Sequence, residues 1–149
     1  MPEPVTSTEV HPHRTTTLRH RAQLVRDGRP PVPLDLELRY TSLDPFAVRI
    51  GLETDGASIH WALSRETLLL GLRRHEGMGD VAVWPVRQPG GGSGWLRIRL
   101  GPSGSCGVFQ TERDVISDWL DVTLRLVPRN TESEHLDWDG FLAPLLDRD

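Results

Sequence analysis

Ser93 and Ser103 sit among glycines, Cys106 is the lone thiol, His11 and His13 are one residue apart, and Glu112, Asp114, Asp118 and Asp121 crowd a single stretch. Each could begin a catalytic or metal site, and each lacks the partners that site needs. Neither serine lies in the G-x-S-x-G setting that exposes a nucleophile on a tight turn. Cys106 has no basic neighbour in sequence to lower its pKa, and its place in a strand reads as a small buried hydrophobe. His11 and His13 lack two further ligands nearby and fall in a tail that reads as solvated. The acids near residue 112 are better placed to oppose a helix dipole than to form a carboxylate pair with split pKa values. Asp137 and Asp139 read as local caps. Gly77-Met78-Gly79-Asp80-Val81-Ala82 matches G-x-G-x-x-A, but it follows a helical pattern and precedes a strand, the reverse of a dinucleotide site, so it reads as a turn. The expectation is therefore no catalytic residue, no cofactor and no metal.

Trp95, Arg97 and Arg99 form a more useful set, on one parity of a strand whose other parity is Leu96, Ile98 and Leu100. An aromatic with two guanidinium groups can stack bases and hold phosphates. It can equally dock a protein, since Trp and Arg are enriched in interfaces. Protein contact is the favoured reading and nucleic acid the alternative. With the acids Glu112, Asp118 and Asp121, these three residues are the candidate interaction surface.

The chain that must position them has 149 residues, 37% hydrophobic and 26% charged, which suits one folded domain able to bury a core without disulfide or metal. One cysteine excludes an internal disulfide framework. All 17 basic residues are arginine, consistent with a GC-rich genome, and side-chain amine chemistry is excluded. No stretch is apolar enough for a signal peptide or a membrane span, so the expected compartment is the cytoplasm. The net charge of −4 is uneven: residues 111–149 hold ten acids and four arginines, against eleven acids and thirteen arginines in residues 1–110. An acidic C-terminal region argues against a nucleic-acid footprint there.

Residues 1–14, rich in proline, threonine and histidine, read as a disordered extension, and residues 15–149 as the domain. Alternation predicts strands around Leu18, Ala22 and Leu24, then Leu34 to Tyr40, then Phe46, Val48, Ile50 and Leu52, then Ile59, Trp61 and Leu63. His20, on the apolar parity of the first, reads as a hydrogen-bonded histidine. Asp55-Gly56 is a hairpin turn. Ser64 caps a helix through Leu68, Leu69 and Leu72, which Gly71 weakens and Gly77 and Gly79 end. Strands follow at Val81–Val86, Trp95–Leu100 and Cys106–Phe109. Thr111 and Asp114 approximate a capping box for the longest helix, with Val115, Ile116, Trp119, Leu120 and Leu124 as its apolar stripe. Trp138, Phe141, Leu142, Leu145 and Leu146 predict a short terminal helix. The order β-β-β-β-α-β-β-β-α is an α+β plan with two antiparallel strand groups packed together.

Asp44-Pro45-Phe46-Ala47-Val48, Trp61, Leu68-Leu69-Leu70-Gly71-Leu72 and the run from Gly77 to Pro85 resemble, in order, the SsgA-like proteins of spore-forming actinobacteria. The resemblance implies a Whirly-like scaffold and a non-enzymatic role in sporulation-specific cell division. It further implies contacts with the tubulin-like division protein FtsZ or other SsgA-like proteins at the septum, and homo-oligomers, with a trimer as the candidate state. It supplies no catalytic residue; Pro45 is implied to shape a turn and Trp61 to fill the core.

Overall fold

Four strands run as an antiparallel meander: β1 (Thr15–Leu24), β2 (Val32–Thr41), β3 (Ala47–Thr54) and β4 (Ala57–Ser64). The alternation that predicted them is their burial. Leu34, Leu36, Leu38 and Tyr40 are buried on β2, as are Val48, Ile50 and Leu52 on β3. Helix α1 (Arg65–Gly71) follows directly, and the Ser64 hydroxyl accepts from the Thr67 N–H at 3.2 Å, the predicted cap. The second run is β5 (Glu76–Met78), β6 (Val81–Val86), β7 (Trp95–Leu100) and β8 (Gly107–Glu112), then α2 (Arg113–Leu126) and a 3₁₀ turn at Glu132–His135. This computed structural model describes residues 14–102, 104–135 and 144. The expected N-terminal extension, the terminal helix, His11, His13, Ser103, Asp137 and Asp139 fall outside them, apart from Arg14 and Pro144.

The α+β class and the single domain hold, but the strands form one sheet rather than two groups. The order is β4-β3-β2-β1-β8-β7-β6-β5, eight strands among the described residues, every pairing antiparallel. The junction is short. Gln23 pairs with Gln110 and Leu24 with Phe109, the Val25 N–H donates to the Val108 carbonyl at 2.8 Å, and the Thr111 hydroxyl donates to the Arg21 carbonyl at 2.9 Å. A twisted sheet this wide curls. Its inner face holds the core, and the two helices lie against it through Leu68, Ile116, Trp119 and Leu120.

Several local expectations give way. Thr111 is a buried strand residue, and the residue before α2 is Glu112, which makes no side-chain cap bond. Cys106 is exposed, ahead of β8 rather than within it. Gly77 does not end a helix: α1 stops at Gly71, and Gly77 pairs with Ala82 in β5, while Gly79 takes φ +60° in the turn beyond. Phe46 and Ile59 have the core parity but are 50% and 53% exposed. Trp61 is only half-buried. Gly71 does more than weaken a helix. A Cβ there would lie 2.3 Å from Val83 Cγ1, so its absence is what lets α1 sit close on β6.

Trp119, 5% exposed, is a core aromatic. Trp119→Ala is expected to lower stability by about 3–5 kcal/mol in urea unfolding, and an unchanged midpoint would contradict its place in the core. Gly71→Ala is expected to cost about 1–3 kcal/mol through overpacking against Val83.

Candidate interaction surface

Trp95, Arg97 and Arg99 alternate with the buried Leu96, Ile98 and Leu100, so they lie on the outer face of the sheet, as the pattern requires. They are half-buried rather than free. Arg97 stands between Gln110 of β8 and Trp84 of β6. Its Nε donates to Gln110 Oε1 at 3.0 Å, and Gln110 Nε2 donates to Gln23 Oε1 at 2.9 Å, so the guanidinium extends a polar relay across the β1–β8 junction. Trp84 is stacked on His75, ring centroids 5.5 Å apart. Arg99 Nε is buried without a hydrogen-bond partner among the described residues.

The acidic candidates divide. Glu112 lies opposite Trp95 in register and reaches His20 Nε2 at 2.9 Å, which supplies the partner expected for that histidine. Asp118 and Asp121 are exposed on α2, whose other face packs on the core. The helix covers the inner face of the sheet, whereas Arg97 is on the outer one. The structure therefore brings Glu112 to the Trp95 patch and leaves Asp118 and Asp121 apart from it.

Three features escaped the sequence reading. The outer face of β1–β3 carries ion pairs: Glu37 with Arg19 at 3.1 Å and Arg21 with Asp35 at 3.7 Å across β1 and β2, Glu37 with Arg39 at 3.6 Å along β2, and Arg49 of β3 with Asp44 of the β2–β3 connection at 3.5 Å. Opposite-charge alternation on paired strands was the signal available for them. Second, where the helices do not reach, the curled sheet leaves a cavity of about 310 Å³, lined by Leu24, Leu34, Leu52, Ile59, Trp61 and Phe109 among others. No charged side chain among the described residues lines it.

The third is Arg65, 1% exposed at the start of α1. One Nη donates to the carbonyls of Thr123 (3.0 Å) and Val127 (2.8 Å), and the other to Glu132 Oε2 at 2.9 Å. The guanidinium lies 4.8 Å from the Tyr40 ring centroid. Burial pushes the Tyr40 hydroxyl up to about 12 despite the opposing Arg65 charge, so it stays a neutral donor, to the Pro45 carbonyl at 2.8 Å. Burial would raise Glu132, but hydrogen bonds from Arg65 and from backbone N–H groups, with the Arg65 charge, hold it below the ordinary carboxylate value. Glu66 is lowered chiefly by its hydrogen bond from Arg129. These groups bind elements together. Among the described residues no group of three or more His, Cys, Asp or Glu is arranged to hold a metal.

The family described as Streptomyces sporulation and cell division protein, SsgA, matches residues 34–132. The sporulation-specific cell division protein SsgB of Frankia casuarinae is 36% identical over 135 residues, 90% of this chain and 93% of that protein. SsgB of Streptomyces coelicolor is 31% identical over 133 residues, covering 89% and 96%. Among solved structures, the SsgA-like sporulation-specific cell division protein of Thermobifida fusca superposes with a TM-score of 0.79 at 31% identity, over 94% of this chain and 99% of that one.

Glu66 and Glu132 set an expectation for acid stability. Their lowered folded-state pKa values contribute stability that is present in full above about pH 5 and is lost as the pH falls through them. Glu132→Gln should lower the neutral-pH urea midpoint and flatten the fall between about pH 5 and pH 3. An acid limb as steep as wild type would mean that the Arg65–Glu132 contact carries none of it.

Proposed function

The chain belongs to the SsgA family of sporulation and cell division proteins, and on that premise we propose that it is a non-enzymatic adaptor that positions the division machinery at sporulation septa. The observation that carries this reading is near full-length similarity to proteins named for sporulation-specific cell division. The molecule's physical character supports it. The outer face of the sheet offers paired charges and half-buried aromatics rather than groups converging on one reacting atom, and the described lining of the cavity is uncharged. No helix among the described residues is long and apolar enough to cross a membrane, so recruitment to a septum would run through protein contacts.

In this reading the partners are an FtsZ-type division protein, other SsgA-like chains and further copies of this one. The Trp95/Arg97/Arg99 face with Glu112 is one docking surface, and the α2 face bearing Asp118 and Asp121 is another. A single-stranded nucleic-acid partner on a Whirly-like scaffold has less to draw on. Arg97 is already engaged by Gln110, and a shared scaffold does not carry a function with it.

Affinity capture from sporulating actinobacterial cells tests the proposal. Wild-type chain should recover the tubulin-like division protein, an Arg97→Ala/Arg99→Ala variant or an Asp118→Ala/Asp121→Ala variant should recover less, and nucleic acid alone would overturn it. Light scattering at micromolar concentration should show an oligomer, and a monomer would remove the self-association.

A further inference from the structure

The two edges of the sheet are built differently. One edge is β5, three residues long, flanked by the Arg74–Glu76 pair and Asp80. Such short, charged edges are how soluble sheets avoid pairing with other chains. The other edge is β4, eight residues, Ala57-Ser58-Ile59-His60-Trp61-Ala62-Leu63-Ser64, with no arginine, acid or proline. A two-residue loop makes Thr54 and Ala57 a hydrogen-bonded pair. By alternation, the N–H and C=O groups of Ser58, His60 and Ala62 point away from β3. The same strand carries Ile59 and Trp61 on the rim of the charge-free cavity. On its outer face it presents the short side chains of Ser58 and Ala62, in register with Glu53 and Arg49 of β3, and between them His60, whose Nε2 lies 3.1 Å from Ser58 Oγ.

We propose that β4 is a docking edge for an extended segment of a partner protein, added antiparallel as a ninth strand, with apolar side chains at alternate positions over the cavity. This rests on the adaptor reading and names the chemistry of the partner. The cavity side requires uncharged residues, because an ion placed there would lose its water and meet no counter-charge. The outer side specifies charge. Ser58 and Ala62 are short enough for long side chains to reach across them, so a base opposite Ser58 approaches Glu53 and an acid opposite Ala62 approaches Arg49, about 10 Å away at two strand spacings. Antiparallel addition then orders the segment acid first and base four residues later. A second copy of β4 does not fit, because its outward residues, Ser58, His60 and Ala62, include no acid to meet Arg49.

The probe is a fluorescent nine-residue peptide, Thr-Val-Glu-Val-Thr-Val-Lys-Val-Thr, titrated against the full chain by anisotropy. Saturable binding is expected, weakened about tenfold or more by Ile59→Arg. N-methylation of the edge-facing peptide amides should abolish it, and exchanging the glutamate and lysine should weaken it several-fold. The methylated and exchanged peptides leave the protein unchanged, so folding defects cannot mimic the result. Circular dichroism checks the Ile59→Arg variant. No binding, or binding indifferent to N-methylation, overturns the proposal. So does self-association in sedimentation that Ile59→Arg abolishes, which would make the occupant a second copy. Binding that appears only after residues 136–149 are removed would make the occupant this chain's own terminus. Septal recruitment surviving in Ile59→Arg would refute the edge and leave the adaptor role standing.

Discussion

A buried guanidinium holds the two ends of this fold in place. Arg65 begins α1, yet its hydrogen bonds go to the last turn of α2 and to the 3₁₀ turn beyond it. The C-terminal carbonyls of a helix have no partners within the helix and carry the negative end of its dipole. A fixed cation there satisfies both needs. Arg65 also lies on the ring of Tyr40, whose hydroxyl holds the β2–β3 connection through Pro45, so strand, loop and both helices meet at one side chain. An ion this deep is costly to desolvate. Removing either partner leaves the other charge buried, which makes the pair a constraint on geometry more than a source of stability.

That constraint decides where the sheet is covered and where it is open. With α2 anchored at Thr123 and Val127, the helices occupy one end of the curled inner face. Neither α1 nor α2 lines the opposite end, bounded by Leu24, Leu34, Leu52 and Phe109. Gly71 sharpens the arrangement by letting α1 settle against Val83. The cavity and the half-exposed Ile59 and Trp61 are thus consequences of helix placement. Among the described residues, one end of the fold is rich in buried hydrogen bonds and the other in apolar surface.

How much of this was legible follows from the range of each interaction. Strand parity is local, so β1 to β4, β6 and β7 could be read from Leu34 to Tyr40 or Leu96 to Leu100, and the outward face of Trp95, Arg97 and Arg99 with them. The β1–β8 junction pairs residues 85 and 87 positions apart, and no pattern near Gln23 or Gln110 announces it. The two strand groups therefore read as separate. Boundaries failed where two codes overlap. Thr111 suits an N-cap, but its hydroxyl is used across the junction by Arg21, and the helix begins two residues later. Arg65 had no signal at all, because an arginine after a capping serine is ordinary on a helix surface. Exposure of Phe46, Ile59 and Cys106 depends on how distant elements pack, which periodicity cannot report.

The outer face follows a different logic from the Arg65 site. Arg19, Glu37 and Arg39 pair in water, with the arginine side chains 76% and 53% exposed, and exposed pairs contribute about 0–1 kcal/mol. Such pairs can be exchanged for pairs with another molecule at little cost to the fold. Arg65 and Glu132 cannot, since separating them strands a charge in the interior. The proposed adaptor role would use both kinds: an inner ion pair that fixes the helices in place, and outer ones loose enough to be traded. The relay from Gln23 through Gln110 to Arg97 lies between them, half-buried and across the junction of the two strand groups. A partner engaging Arg97 would therefore draw on a bond that helps join those groups, so the strength of docking there and the stability of the β1–β8 junction are coupled through one glutamine.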